Sequence, residues 1–257
     1  MSDKSELEKI KIVYEDDDVL VIDKPSGWLV HAVDGENDES ISTVVDWFLQ
    51  RNPEVETVGE SQNDAKGRAI VRSGVVHRLD RDTSGLLLLV KKQEAFGFIK
   101  QQFHDRLANK EYRAFVYGAV RDKWGTIERP IGRSAKDGRL RSAQRGARGT
   151  LRSAVTEWEC IGTGRVEDEL FSYLALKPLT GRTHQLRVHL KAIDRPIVGD
   201  RLYAPGQVDS SCNLGFARLA LHAHRLEINL PSGKEGRFIA PLPDIFESAA
   251  DSIATGQ

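Results

Sequence analysis

The first ninety residues change rhythm several times in their pattern of apolar and polar positions. Lys11–Tyr14 and Val19–Ile22 flank the acidic stretch Glu15–Asp18 and predict a β-hairpin. Lys24-Pro25-Ser26-Gly27 reads as a turn, after which Trp28–His31 resumes as a strand. Ser42 is the expected N-cap of a helix through about Gln50, with Val44, Val45 and Phe48 on its apolar side. The polar stretch 52–70, with Pro53 and two glycines, reads as a surface loop. Leu86–Val90 is an unbroken apolar run of strand length, the pattern of a strand buried on both faces.

Further along, Phe96, Ile99 and Phe103 recur at helical spacing within Gln93–Arg106. Tyr112–Tyr117, Ala154–Cys160, Phe171–Leu176 and Leu219–Leu230 read as strands. Thr183–Ile193 reads as a helix with Leu186, Leu190 and Ile193 on one stripe. Strands and helices alternate without a βαβ rhythm, and no fixed-period repeat is present. The expected class is therefore α+β, around a mixed, mostly antiparallel sheet with flanking helices. A single domain over 11–248 is expected, between polar tails at 1–10 and 249–257.

Composition narrows the class. Hydrophobic residues are 40% and charged residues 29% of the 257, as in ordinary globular proteins. No apolar run approaches the roughly 18 residues of a membrane span, and the start MSDKSELEKIKI lacks the apolar core of a secretory signal. A cytoplasmic protein is expected, with Cys160 and Cys212 as small packing residues rather than a disulfide. Net charge is only −1, but 129–152 holds eight basic residues against Asp137 alone. That segment carries +7, leaving −8 elsewhere. Such segregation fits either a solvated loop or a footprint for a polyanion. With four glycines and few apolar residues, it is expected to be a mobile arm.

Two segments carry the candidate chemistry. In His77-Arg78-Leu79-Asp80-Arg81-Asp82-Thr83-Ser84-Gly85, polar residues crowd the mouth of the buried strand. A carboxylate so placed can act as nucleophile, base or metal ligand. It can equally cap a turn and pair with Arg78 or Arg81. In Gly181-Arg182-Thr183-His184-Gln185-Leu186-Arg187-Val188-His189, Thr183 can cap a helix on which His184, Arg187 and Lys191 share a face. That face is either solvated or presents an arginine fork to a carboxylate or phosphate. Asp80-x-Asp82 and His222-x-His224 are weak metal signals without a third ligand, and no nucleotide fingerprint is present. Neither a metal nor a cofactor is expected.

These segments together resemble the RluA family of pseudouridine synthases. His77-Arg78-Leu79-Asp80-x-x-Thr83-Ser84-Gly85 is similar to its catalytic signature, and Lys110-Glu111-Tyr112 to its K-x-Y strand. Gly181–His189 resembles a third motif and Leu221-His222-Ala223 a late strand. Asp23-Lys24-Pro25-Ser26-Gly27 through His31 resembles the opening motif, although Ala32 stands where a proline is common. The motifs keep their order from about Lys11 to Phe246.

The resemblance implies that Asp80 is the nucleophile, Arg187 the cation that pairs with it, and Tyr112 the ring that stacks on a flipped uracil. It implies RNA contacts from Arg78, Arg81 and His184; the basic arm adds Arg139, Arg141, Arg145 and Arg148. The implied partner is a structured RNA, tRNA or rRNA, bound by a monomer. Many relatives carry a small N-terminal RNA-binding domain of the S4 type. None is expected here, which leans toward tRNA or a small stem-loop. A non-catalytic RNA-binding or assembly factor on the same fold is the alternative, followed by a metal-dependent nuclease or phosphatase using Asp80 and Asp82.

Overall fold

The computed structural model describes residues 10–31, 43–60, 62–63, 69–70, 72–138, 140–210 and 212–255. Its elements begin with β1 (Lys11–Glu15), β2 (Val19–Lys24), α1 (Val44–Arg51), β3 (Gln62–Asn63), β4 (Ala69–Ile70), β5 (Ser84–Val90) and α2 (Gln93–His104). Next come β6 (Asn109–Tyr117), β7 (Trp124–Glu128), β8 (Ile131–Arg133), β9 (Arg141–Ser142), β10 (Arg148–Arg152), β11 (Val155–Val166) and β12 (Glu169–Pro178). The chain ends through α3 (Gln185–Ala192), α4 (Pro205–Ser210), β13 (Leu221–Asn229), β14 (Glu235–Ile239) and α5 (Asp244–Thr255). The class is α+β, as the mixed periodicities predict.

The residues group into two compact units, Met1–Asn109 with Arg225–Ala240, and Lys110–His224 with Pro241–Gln257. No break in composition marks this division because the first unit is discontinuous in sequence.

In the first unit β2 pairs antiparallel with β1 and β5. Every residue of β5 is buried, so its apolar run needs no polar alternation. The register sets Lys24 opposite Gly85, and Gly85 has φ +108, a backbone region that a side chain disfavours. Helix α1 starts at Thr43, whose hydroxyl accepts the Asp46 amide while the Asp46 carboxylate accepts the Thr43 amide. This is a capping box. The expected cap, Ser42, lies outside the described residues. Buried Gln102 of α2 exchanges two hydrogen bonds, 2.8 and 2.9 Å, with the backbone of Asn229. The stretch expected as a surface loop at 52–70 is partly ordered. It holds a 3-10 turn at Pro53–Thr57 with Val55 buried, and the short β3–β4 pair.

In the second unit the antiparallel order is β6-β12-β11-β7. Phe115, Phe171, Phe216 and Phe246 are core residues there, and Phe115 stacks on Tyr173 with ring centroids 4.5 Å apart. Of the tail expected at 249–257, residues 249–255 are instead the second half of α5, because Phe246, Ala249 and Ile253 form a buried stripe at helical spacing; 256–257 lie outside the described residues. Gly164 of β11 admits this helix: a Cβ there would sit 1.8 Å from the Ile253 carbonyl oxygen.

The mobile arm expected at 129–152 is also corrected. It folds as a three-stranded sheet in the order β10-β8-β9. Two apolar residues anchor it: Ile131 and Ala143 are buried with Val188 and Ala192 of α3 and with Tyr203, whereas Leu151 of β10 stays exposed. Ile131→Ala should therefore lower unfolding free energy by about 2–5 kcal/mol, measured by urea denaturation. An unchanged midpoint would return the segment to a detached arm.

Candidate active site

In the first unit, the loop carrying Asp80 is fixed from both sides. His77 Nε2 accepts the Leu88 amide of β5 at 2.9 Å, and the ring stacks on Phe103 with centroids 4.3 Å apart. Because Nε2 accepts, the neutral ring carries its proton on Nδ1. Leu79, Thr83 and Ser84 are buried, and the Thr83 amide closes a turn on the Asp80 carbonyl at 3.2 Å.

Across from this loop, the Lys24-Pro25-Ser26-Gly27 turn contributes most of the clamps. Lys24 is 0% exposed, and its Nζ donates to the carbonyls of Pro25 (2.8 Å), Trp28 (2.9 Å) and Arg81 (3.0 Å). The Gly27 amide donates to the same Arg81 carbonyl, Ser26 Oγ donates to the Asp82 carbonyl, and Arg81 Nε returns a bond to the Gly27 carbonyl. Asp80 is thus half-buried on a loop whose backbone is tied on both sides of it. Arg78 and Arg81, expected to touch RNA, flank it with exposed side chains.

In the second unit, the motif Gly181–His189 turns out to be a wiring scheme. Gln185 Oε1 accepts from Thr180 Oγ1 and the Arg182 amide, and its Nε2 donates to the Val155 carbonyl and Thr156 Oγ1. His189 lies 2.9 Å from the Arg129 carbonyl through Nε2 and 3.0 Å from Thr156 Oγ1 through Nδ1. A carbonyl only accepts, so Nε2 carries the proton. Burial holds this imidazole below its usual pKa and therefore neutral.

Arg187, for which the sequence leaves both a solvated face and a fork to a carboxylate or phosphate open, is only 5% exposed. Its Nε and Nη2 form a two-pronged bond to the Asp200 carboxylate, at 2.9 and 2.7 Å. Asp200 is 1% exposed and also accepts the Leu202 and Tyr203 amides. The guanidinium lies 5.1 Å from the Tyr203 ring centre. His184 Nδ1 is 2.8 Å from the Tyr203 hydroxyl, which also accepts the Arg141 amide. Tyr203 therefore gathers three of the expected residues: Arg141, His184 and Arg187. His184 has φ +54 directly before α3, a conformation that costs a non-glycine residue about 1–3 kcal/mol. Thr183 is accordingly not the cap.

Tyr112, Arg145 and Arg148 also belong to the second unit. Tyr112 sits half-buried on β6 against the second unit's core, paired with Leu176. Arg145 and Arg148 are exposed, and Arg139 lies outside the described residues, as does Ala32. Arg133 stands opposite Arg141 on one side and Arg148 on the other. The adjoining pocket of about 360 Å³ is lined by Arg133, Arg141, Arg152 and Arg182. Asp200 and Tyr203 were missed because Asp-x-x-Tyr after a glycine reads as an ordinary turn. The one signal was its place after the apolar Ile197-Val198. Among the described residues, no three His, Cys, Asp or Glu side chains cluster to hold a metal ion. No described helix is long and apolar enough to cross a membrane.

The model of the RNA pseudouridylate synthase family matches residues 18–192. The chain belongs to this family. It is 39% identical over 237 residues to a ribosomal large subunit pseudouridine synthase D of Borreliella burgdorferi, covering 92% of this chain and 66% of that protein. A Xanthomonas campestris protein of the same name is 38% identical, with 91% and 66% covered. The chain thus spans about two thirds of the length of these curated relatives. Among solved structures, human RNA pseudouridylate synthase domain containing 1 aligns with a TM-score of 0.72 at 27% identity, covering 96% of this chain and 90% of that one. Lys24, Asp80, Tyr112 and Arg187 fall within the family-matched span, while Asp200 and Tyr203 fall beyond it.

For this pseudouridine synthase family member, the Arg187–Asp200 pair gives a direct test. Asp200→Ala leaves a buried guanidinium without its carboxylate, which should cost about 3–5 kcal/mol. Arg187→Met combined with Asp200→Ala should lose less than the sum of the single changes. Strictly additive urea midpoints would show that the two charges are energetically independent.

Proposed function

We propose that the chain isomerises a uridine in structured RNA to pseudouridine, with Asp80 as nucleophile. The observation that carries this reading is the half-buried Asp80 loop, held at the head of β5 by Lys24, Gly27 and His77, in a chain of this family. A nucleophile gains from being fixed before its substrate arrives. The reaction breaks the bond from N1 of uracil to C1′ and forms one from C5 to C1′. The proton leaves C5, and N1 ends protonated. Atoms and electrons are conserved, so the chemistry calls for no cofactor, metal or oxidant.

Tyr112 is proposed as the ring that stacks on the extruded uracil, offsetting part of an unstacking cost of a few kcal/mol. Arg187 is proposed as the catalytic cation of the site, its own position set by Asp200. Arg78 and Arg81 would touch the RNA beside Asp80. The row Arg148, Arg133, Arg141 supports a backbone grip by the basic sheet: like charges facing across strands oppose one another until a polyanion lies along them. His184, tied to Tyr203, is grouped with this surface. The names of the similar proteins favour large-subunit ribosomal RNA over tRNA as substrate. The chain would act on it in the cytoplasm, as a monomer.

Removing the charge of Asp80 while keeping its shape separates catalysis from binding. Asp80→Asn should fold and bind RNA as the parent does, with pseudouridine formation reduced on the order of 10³-fold or more. Turnover within about tenfold of the parent would remove Asp80 from the nucleophile role. In cells, deletion should erase pseudouridine at one or more large-subunit rRNA positions, read by chemical mapping. Loss confined to tRNA would reassign the substrate.

A further inference from the structure

A second site lies within the first unit, on the Arg78 side of the Asp80 loop. A pocket of about 180 Å³ is lined by His31, Arg72, His77 and Arg78, with Glu60 and Lys100 also on its wall. It is smaller than the roughly 300–1,000 Å³ of pockets that take whole small molecules. Its size suits a single compact group.

His31 is the anomaly. It is 3% exposed, and among the described residues neither ring nitrogen has a hydrogen-bond partner. Buried polar groups are nearly always paired, so an unpaired pair of ring nitrogens calls for a specific cause. The residue is not loose: the Val44 and Val45 amides of α1 hold the Leu29 and Val30 carbonyls just before it, at 2.9 and 3.0 Å.

The surrounding charge tells which partner would fit. Burial, then Arg72, then Arg78 pull the His31 pKa down to about 4. Arg72 itself is lowered by burial and by Arg78. Two arginines and a buried imidazole thus line one small space. Glu60, the acid on the pocket wall, is paired with Lys100. An oxyanion held there would accept from the imidazole and from the guanidinium groups, in charge-assisted bonds.

We propose that this pocket is a phosphate subsite, in which one backbone phosphate of the RNA is gripped by His31, Arg72 and Arg78. This rests on the RNA reading above and deepens it. Phosphate contacts fix register without reading bases. Arg78 and His77 belong to the same tied loop as Asp80, so a phosphate held there sets the strand in register with the nucleophile. His31 is neutral at pH 7 and offers one N–H; a bound anion favours its protonated form, so binding strengthens as pH falls.

The test uses the full chain with 15N-labelled imidazoles and inorganic phosphate as the probe. At pH 6.5, phosphate should shift the His31 ring nitrogens saturably. Potassium chloride at equal ionic strength should not. Arg72→Gln should abolish the response and raise the KM for RNA about tenfold with kcat unchanged. An unmoved His31 signal in the parent, or an equal response to chloride, would overturn the subsite whether or not the variant folds. Pseudouridine formation by the same preparation on total RNA separates the two readings. Isomerisation with a silent His31 removes the subsite alone. A phosphate response in a chain that modifies no RNA leaves an anion site and overturns its assignment to RNA.

Discussion

The ammonium of Lys24, fully withdrawn from solvent, donates to carbonyls of Pro25, Trp28 and Arg81, and the placement of Asp80 follows from that arrangement. Burying an ammonium costs several kcal/mol, and charge-assisted hydrogen bonds recover about 1.5–3 kcal/mol each. The three converged carbonyls thus offset much of that cost. The lysine therefore acts as a geometric lock between the turn at 24–28 and the backbone just after Asp80. The β2–β5 register, with Gly85 facing Lys24, places that lock at the head of a strand with no exposed residue. Rigidity passes from core to strand to loop to carboxylate.

A second lock of the same kind organises the other unit. There a buried carboxylate, Asp200, takes the fork of Arg187. Gln185 and His189 fasten α3 to the edge of β11 through Thr156. Both locks pair a buried charge with groups that cannot be repacked without leaving an unsatisfied partner. Such groups are poor sources of net stability but strict specifiers of position. That property suits residues that must hold a nucleophile or a cation still. The basic sheet Ile131–Arg152 follows another logic: one apolar face packs on α3 while arginines line up across the strands.

Much of this was legible in the sequence. Leu86–Val90 announced the buried strand, the alternating runs gave β11 to β13, and the polar crowd at 77–85 marked the loop. Lys24 was read as part of a turn and of the opening motif but not as a lock, because the three carbonyls it donates to leave no trace in residue types. Asp200 was missed for a related reason: its pairing with Arg187 is made in space and lies thirteen residues along the chain. The helix at 244–255 and the small basic sheet were hidden by composition. Serines, alanines and aspartates diluted one apolar stripe, and arginines outnumbered the few buried anchors of the other. His31 stood in the sequence only as the end of the opening motif, since its distinction in space is a missing hydrogen-bond partner among the described residues.

The most direct measurement of the Lys24 lock is hydrogen exchange at single amides in Lys24→Met against the parent. The amides of Gly27 and Thr83, which donate to the Arg81 and Asp80 carbonyls, should lose protection, while the Leu86–Val90 amides keep theirs. Unchanged protection at Gly27 and Thr83 would contradict the claim that this buried ammonium holds the Asp80 loop.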